Sequence, residues 1–231
     1  MASSPYIRIC KAELDWLDMR VNVLKSDCIR VGPRFNCTNG VIINIGNNII
    51  NWSSEIKYLG LYIVAGKHFT CNLHHCKLKF FRALNSILSK IGNMNALTLI
   101  LSLTSSNCFP ILMYGLEAMR LTNPQINRLL YAYNSVFYKL FRSFKPNIIL
   151  QTQYYTGHLN IASFIDLRTI NFLNNLCAYD YFSPASHLFY LCGTSEWTDI
   201  AGKYSITASD GCGQCKSKIW TAFGLVIVAL A

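Results

Sequence analysis

A chain of 231 residues, 52% of them hydrophobic, can bury a core of one large or two small domains, and that excludes global disorder. The formal net charge is +10 and the excess is local, because ten Lys and Arg but only one acid, Glu117, lie between Gly66 and Lys145. Charge confined to one segment points that segment toward a polyanion or an anionic membrane surface. Ten cysteines are scattered without framework spacing, and Met1–Cys10 has no apolar core of signal-peptide length. They read as reduced thiols of an intracellular protein of the nucleus or cytoplasm, not as a disulfide scaffold.

In chain order, Glu13–Met19 sets Leu14 and Leu17, then Val21, on one side with acids between, as at the end of an amphipathic helix. Val21–Ser26 reads as a helix stop and an extended segment. Asp27–Phe35 has strand character broken by Gly32-Pro33. Val41–Ile45 and Ile49–Trp52 are short β-branched runs joined by Gly46-Asn47-Asn48, a hairpin signal. Ile56–Val64 is the next strand region, and Tyr58-Leu59-Gly60 closes a hairpin within it.

Lys77–Ile91 places Leu78, Phe81, Leu84, Ile87, Leu88 and Ile91 on one side at helical spacing, with Lys79, Arg82 and Lys90 on or near the other. Asn95 opens an apolar helix over Ala96–Ser106, and Pro110 is placed to start another. Asn123-Pro124 reads as the N-cap and first turn of the clearest helix, Gln125–Phe144. Its apolar stripe runs from Ile126 to Phe144, with Arg128, Ser135, Lys139 and Arg142 on the solvent side. Pro146–Leu159 reads as a linker with strand character, and Ile161–Asn175 as one more amphipathic helix. Beyond about Ser183 the chain reads as a poorly structured tail ending in the apolar run Lys218–Ala231. That run is shorter than the roughly 20 residues a membrane span needs, so a tail anchor is not the expectation. Cys71, His74, His75 and Cys76 fit no finger spacing, and Cys212-Gly213-Gln214-Cys215 lacks a second pair. No metal site is expected.

The order helix, Asn22-X-X-Lys25-Ser26, Arg30-Val31-Gly32-Pro33-Arg34-Phe35, hairpin, then Glu55–Gly60 resembles the end of the palm and the primer-grip turn of non-LTR retrotransposon reverse transcriptases. Downstream, Phe80–Ile87, Lys90-Ile91-Gly92, Cys108–Ala118 and Tyr133–Phe141 resemble that family's thumb, most specifically in Pro110-Ile111-Leu112-Met113-Tyr114-Gly115-Leu116-Glu117. The resemblance implies an α+β fold, a small antiparallel palm-remnant sheet followed by a mainly helical thumb bundle. It implies a palm remnant over residues 1–65, a basic thumb over 66–145 and a helical connection over 146–183; past about Ser183 the resemblance ends, and 184–231 is read as the tail. It implies template–primer binding, RNA or DNA, through Lys57, Tyr58, Gly60, Lys77, Lys79, Arg82, Lys90, Arg128, Lys139 and Arg142. Lys25 falls where the family's lysine is proposed to protonate the leaving pyrophosphate. The complete family enzyme holds Mg on paired carboxylates, but this sequence contains no Asp-Asp. The expectation is therefore a chain with no cofactor of its own that grips nucleic acid without polymerising, and that takes no specific small molecule and no membrane. The alternative is a basic helical interaction or membrane-surface protein with an apolar C-terminal anchor and no nucleic-acid role.

Overall fold

The structure, a computed structural model, describes residues 5–36, 43–45, 48–91, 97–178 and 183–229. The fold is α+β, a small antiparallel sheet and a larger helical part. The chain divides into two compact units, Met1–His75 and Cys76–Ala231.

In the first unit, α1 (Pro5–Trp16) ends in a Schellman turn. The Met19 N–H donates to the Leu14 carbonyl at 2.8 Å, and Asp18 takes the left-handed conformation (φ 53°) that the motif needs. A short antiparallel pair follows, β1 (Ile43–Ile45) with β2 (Asn48–Ile50), in the register Ile43 opposite Ile50. Residues 41, 42, 46 and 47 of the expected hairpin lie outside the described residues. The second sheet is β3 (Glu55–Tyr58), β4 (Leu61–Val64) and β5 (Thr70–Cys71) in that order, antiparallel throughout. Residues 27–35 form no strand. Cys28 bridges Trp52 and Val31 bridges Gly66 as isolated parallel contacts. Gly32 (φ 126°) and Pro33, which has no N–H to give a ladder, turn the chain there, and the Phe35 N–H closes on the Gly32 carbonyl at 3.1 Å.

The second unit takes in most of α2 (His74–Ile91) and all later helices. The buried face of α2 centres on Phe80 and Leu84, while Leu78 is exposed, so the stripe is rotated from the one expected. Pro110 does not begin a separate helix. Helix α3 (Leu97–Leu103) runs through a π-turn, Thr104–Cys108, into α4 (Phe109–Leu112). A proline ring clashes with the carbonyl four residues back, and the wider turn, closed by the Phe109 N–H on the Thr104 carbonyl, relieves it. The stretch Leu97–Ala118 is long and apolar enough to cross a membrane. Ile100, Leu101, Cys108, Phe109, Leu112, Met113 and Leu116 along it are buried in the protein core.

Helix α5 (Asn123–Phe141) is the centre of this core. Its N-cap is Thr122, not Asn123: the Thr122 N–H and hydroxyl both donate to Gln125 Oε1 at 2.9 Å, and Pro124 sits one position further in. Leu129, Tyr133, Val136 and Phe137 are buried, and the Tyr133 hydroxyl donates to the Leu159 carbonyl at 2.8 Å. Burial pushes that phenol far above its ordinary range, so it stays a donor.

Residues 146–155 are helical (α6, Pro146–Tyr155), contrary to the strand-like linker expected. Pro146 fills the first turn, and Gly157 (φ 78°) ends the helix in a Schellman turn, with the His158 N–H on the Gln153 carbonyl at 2.8 Å. Ile149 and Gln153, one turn apart, are buried, and Gln153 Nε2 donates to Asn134 Oδ1 of α5 at 2.7 Å. Tertiary burial outweighs the β propensity of this stretch.

Past Ser183 the described residues are mostly helical, not a loose tail. After α7 (Ile161–Cys177) come α8 (Pro184–Leu188), α9 (Thr194–Tyr204) and α10 (Cys212–Ala229); α7, α9 and α10 build a cluster with Leu159, Leu167, Ile170, Ile200, Tyr204, Cys215, Ile219, Phe223 and Ile227. Trp220 stacks on Tyr154 of α6, centroids 5.3 Å apart. A side chain at Gly224 would come within 3.2 Å of the Tyr154 ring, so the glycine permits this approach.

His158 sits edge-on to Phe109 and Phe137, with centroids 5.8 and 5.7 Å away. Burial lowers its pKa below the ordinary imidazole value; the smaller effect of the Thr156 backbone, which accepts a hydrogen bond from the ring, acts the other way. The unfolded chain therefore binds the proton first as pH falls through about 6.5, and the folded state loses stability from there downward. The urea midpoint should be constant above neutrality and fall toward pH 5.5, and His158→Gln should flatten that fall.

Candidate nucleic-acid interface

In the first unit the β3–β4 hairpin carries Lys57, Tyr58, Leu59 and Gly60 at its tip. Tyr58 pairs with Leu61, so the turn is the two residues Leu59 and Gly60, both at positive φ (46° and 86°). That is the primed geometry matching strand twist; glycine accepts it without strain, leucine does not. Tyr58 is 61% and Leu59 72% exposed. An aromatic, an apolar residue and a cation are thus all exposed at the tip of a tight hairpin, Lys57 and Tyr58 on opposite faces of the strand. Lys25 is exposed on a 3₁₀ turn, Val23–Lys25, in which the Asn22 carbonyl accepts from the Lys25 N–H (3.1 Å) and the Ser26 hydroxyl (2.8 Å). The Asn-X-X-Lys-Ser motif is thus one closed turn.

His75 stacks on Tyr62 at 3.7 Å, and its Nε2 lies 3.6 Å from Glu55 Oε1, too long for a hydrogen bond. Cys71 is buried in β5. Among the described residues no group of three or more His, Cys, Asp or Glu could hold a metal, and none of the eight cysteines whose side chains are described is in a disulfide. Cys212 opens α10 exposed and Cys215 is buried in its core face, so this pair belongs to packed helix rather than to a disordered stretch.

In the second unit the expected cations divide between α2 and α5. Lys79, Arg82 and Lys90 on α2 and Arg128, Lys139 and Arg142 on α5 are exposed; Lys77 is half-buried. At about 100° per residue, Arg128, Lys139 and Arg142 fall within a sector of about 60° and span about 21 Å along α5. Ser135, expected on the solvent side, lies in that sector but is buried, its hydroxyl donating to the Ala132 carbonyl at 2.6 Å. Lys139 Nζ donates to Asn85 Oδ1 at 3.0 Å, a hydrogen bond that ties this sector of α5 to α2. Sequence spacing gave no signal for Asn85, because the contact joins residues 54 apart.

The electrostatic contrast lies between these helices and the rest of the unit. Glu117, the single acid of the basic segment, pairs with Arg168 at 3.2 Å. Asp166 takes both Lys203 Nζ (2.6 Å) and the Tyr204 hydroxyl (2.7 Å), and Asp210 takes Lys218. Arg120 donates to Ser195 Oγ at 3.0 Å. Among the described residues, none of the seven cations on α2 and α5 makes an ion pair. Arg168, Lys203 and Lys218 are thus each held by an acid, whereas the cations of α2 and α5, apart from Lys139 on Asn85, are left for solvent or a ligand.

Helix α5 ends at Arg142, which itself adopts the left-handed conformation (φ 52°, ψ 32°), its N–H on the Tyr138 carbonyl at 3.0 Å. Glycine is the residue for that position. Arg142→Gly should raise stability by about 0.5 kcal/mol while weakening any polyanion bound at α5. Opposite signs in a thermal melt and a binding titration would mark Arg142 as kept for its charge.

An α+β protein with helical cations that make no ion pair among the described residues is the class that fold and site define. No family model, curated protein or solved structure matches the chain.

Proposed function

We propose that the chain is a non-LTR-reverse-transcriptase-like protein that binds RNA or DNA template–primer through the phosphate backbone, without polymerase chemistry of its own. The observation that carries this reading is the set of cations on α2 and α5 that make no ion pair among the described residues, on two helices that carry no acid. Lys and Arg contacts to phosphates position a duplex without reading its sequence, which is what a polymerase thumb requires. The exposed Lys57-Tyr58-Leu59-Gly60 tip supports the same reading, since it presents the residues of the primer-grip resemblance on a tight hairpin. Lys25 remains a remnant position, with no paired Asp-Asp in the sequence to complete a two-metal centre.

The test is a salt titration of binding to a primer–template hybrid. Six exposed cations predict a slope of about −5 in log K against log salt on a duplex, and equal affinity for hybrids of unrelated sequence. Absence of binding at low salt, or binding to anionic vesicles but not to the hybrid, would overturn the reading in favour of the membrane-surface alternative.

A further inference from the structure

Just beyond α5, Phe144 is 78% exposed, a large apolar ring in water at the end of the most basic helix. Its position is built. The left-handed turn at Arg142 reverses the chain so that the Phe144 ring meets Tyr138 of the preceding turn, centroids 5.3 Å apart and planes at 41°. Its neighbours are cationic: Arg142 two residues before it and Lys145 directly after it, both exposed, with Lys139 one turn up the helix. Pro146 follows, so the chain re-enters a helix at once and the ring stays at the junction.

An aromatic platform beside cations is the arrangement that holds unpaired nucleotides. A base stacks on the ring while the backbone phosphates sit on Lys and Arg, and every base has a face to offer. A paired duplex hides those faces and would gain nothing from the ring. The surrounding positive charge also argues for a ligand carrying negative charge beside its flat apolar face, and a nucleotide has both. We infer that Phe144, supported by Tyr138, stacks the base of an unpaired nucleotide where a strand leaves the duplex held by α2 and α5. This rests on the proposed nucleic-acid reading and adds to it a preference for a single-strand junction over a blunt duplex.

The experiment compares a blunt duplex with a duplex of equal phosphate number carrying a short unpaired extension, with 2-aminopurine as the first unpaired base. The unmodified protein should prefer the extended duplex and change the 2-aminopurine emission. Phe144→Ala should lose about fivefold or more on the extended duplex, none on the blunt one, and abolish the emission change. Phe144→Trp should restore both. The exposed position lets the variants fold, and an unchanged thermal melt checks this. Tight, salt-dependent binding of both duplexes that Phe144→Ala leaves unaltered would overturn the stacking site while leaving the phosphate grip intact. Failure to bind either duplex at low salt would overturn both.

Discussion

Replacing Phe223 by alanine is expected to cost about 3–5 kcal/mol of folding stability. Phe223 is only 2% exposed and lies in the cluster that α7, α9 and α10 close together. Its ring also meets Trp220 and Tyr154 edge-on, at 6.1 and 5.9 Å. Removing it leaves a void lined by rings and by Ile219 and Ile227, whose helix cannot shift inward because Gly224 already lets α10 touch Tyr154. A loss of that size is a large share of the stability of an ordinary domain, so urea unfolding should show a much lower midpoint. The control is Val228→Ala on the exposed side of the same helix, which should change the midpoint little. Equal, small effects from both substitutions would mean that the last helix is an appendage and that the core ends before it.

The α+β class, the Tyr58-Leu59-Gly60 hairpin and the helices α2, α5 and α7 are legible in the sequence because each carries strong local periodicity or a turn residue. What is not legible depends on partners far along the chain. The segment from Ile148 to Tyr155 is rich in strand formers and becomes helix because Ile149 and Gln153 are buried against α5. A signal was present even so, with Pro146 at the start and Gly157 just past the end. Thr122-Asn123-Pro124-Gln125 likewise spells a capping box, one position earlier than the Asn-Pro pair suggests. The last 48 residues read as a tail because their apolar positions make sense only once α7 is beside them. Of the candidate interface, the excess of charge is a sequence property. Which cations stay unpaired is not, since Glu117 and Arg168 are 51 residues apart.

Reversing four of those unpaired cations together, Lys79→Glu, Arg82→Glu, Arg128→Glu and Arg142→Glu, is expected to reduce affinity for a primer–template hybrid about 100-fold or more at low salt. The salt slope should shrink from about −5 to about −2 or less, because only Lys90 and Lys139 of the exposed set would remain. None of the four makes an ion pair among the described residues, so the fold should tolerate the change and the melt should move little. The informative comparison sets Arg128→Gln with Arg142→Gln against a variant with the same number of basic side chains removed from paired positions. Arg168→Gln and Lys203→Gln break half-exposed ion pairs with Glu117 and Asp166, and should lower stability modestly while leaving the slope unaltered. If both variants flatten the slope equally, affinity follows net charge alone and α2 and α5 hold no special surface. If only the first does, the division between spent and unspent charge that the fold creates is what grips the nucleic acid.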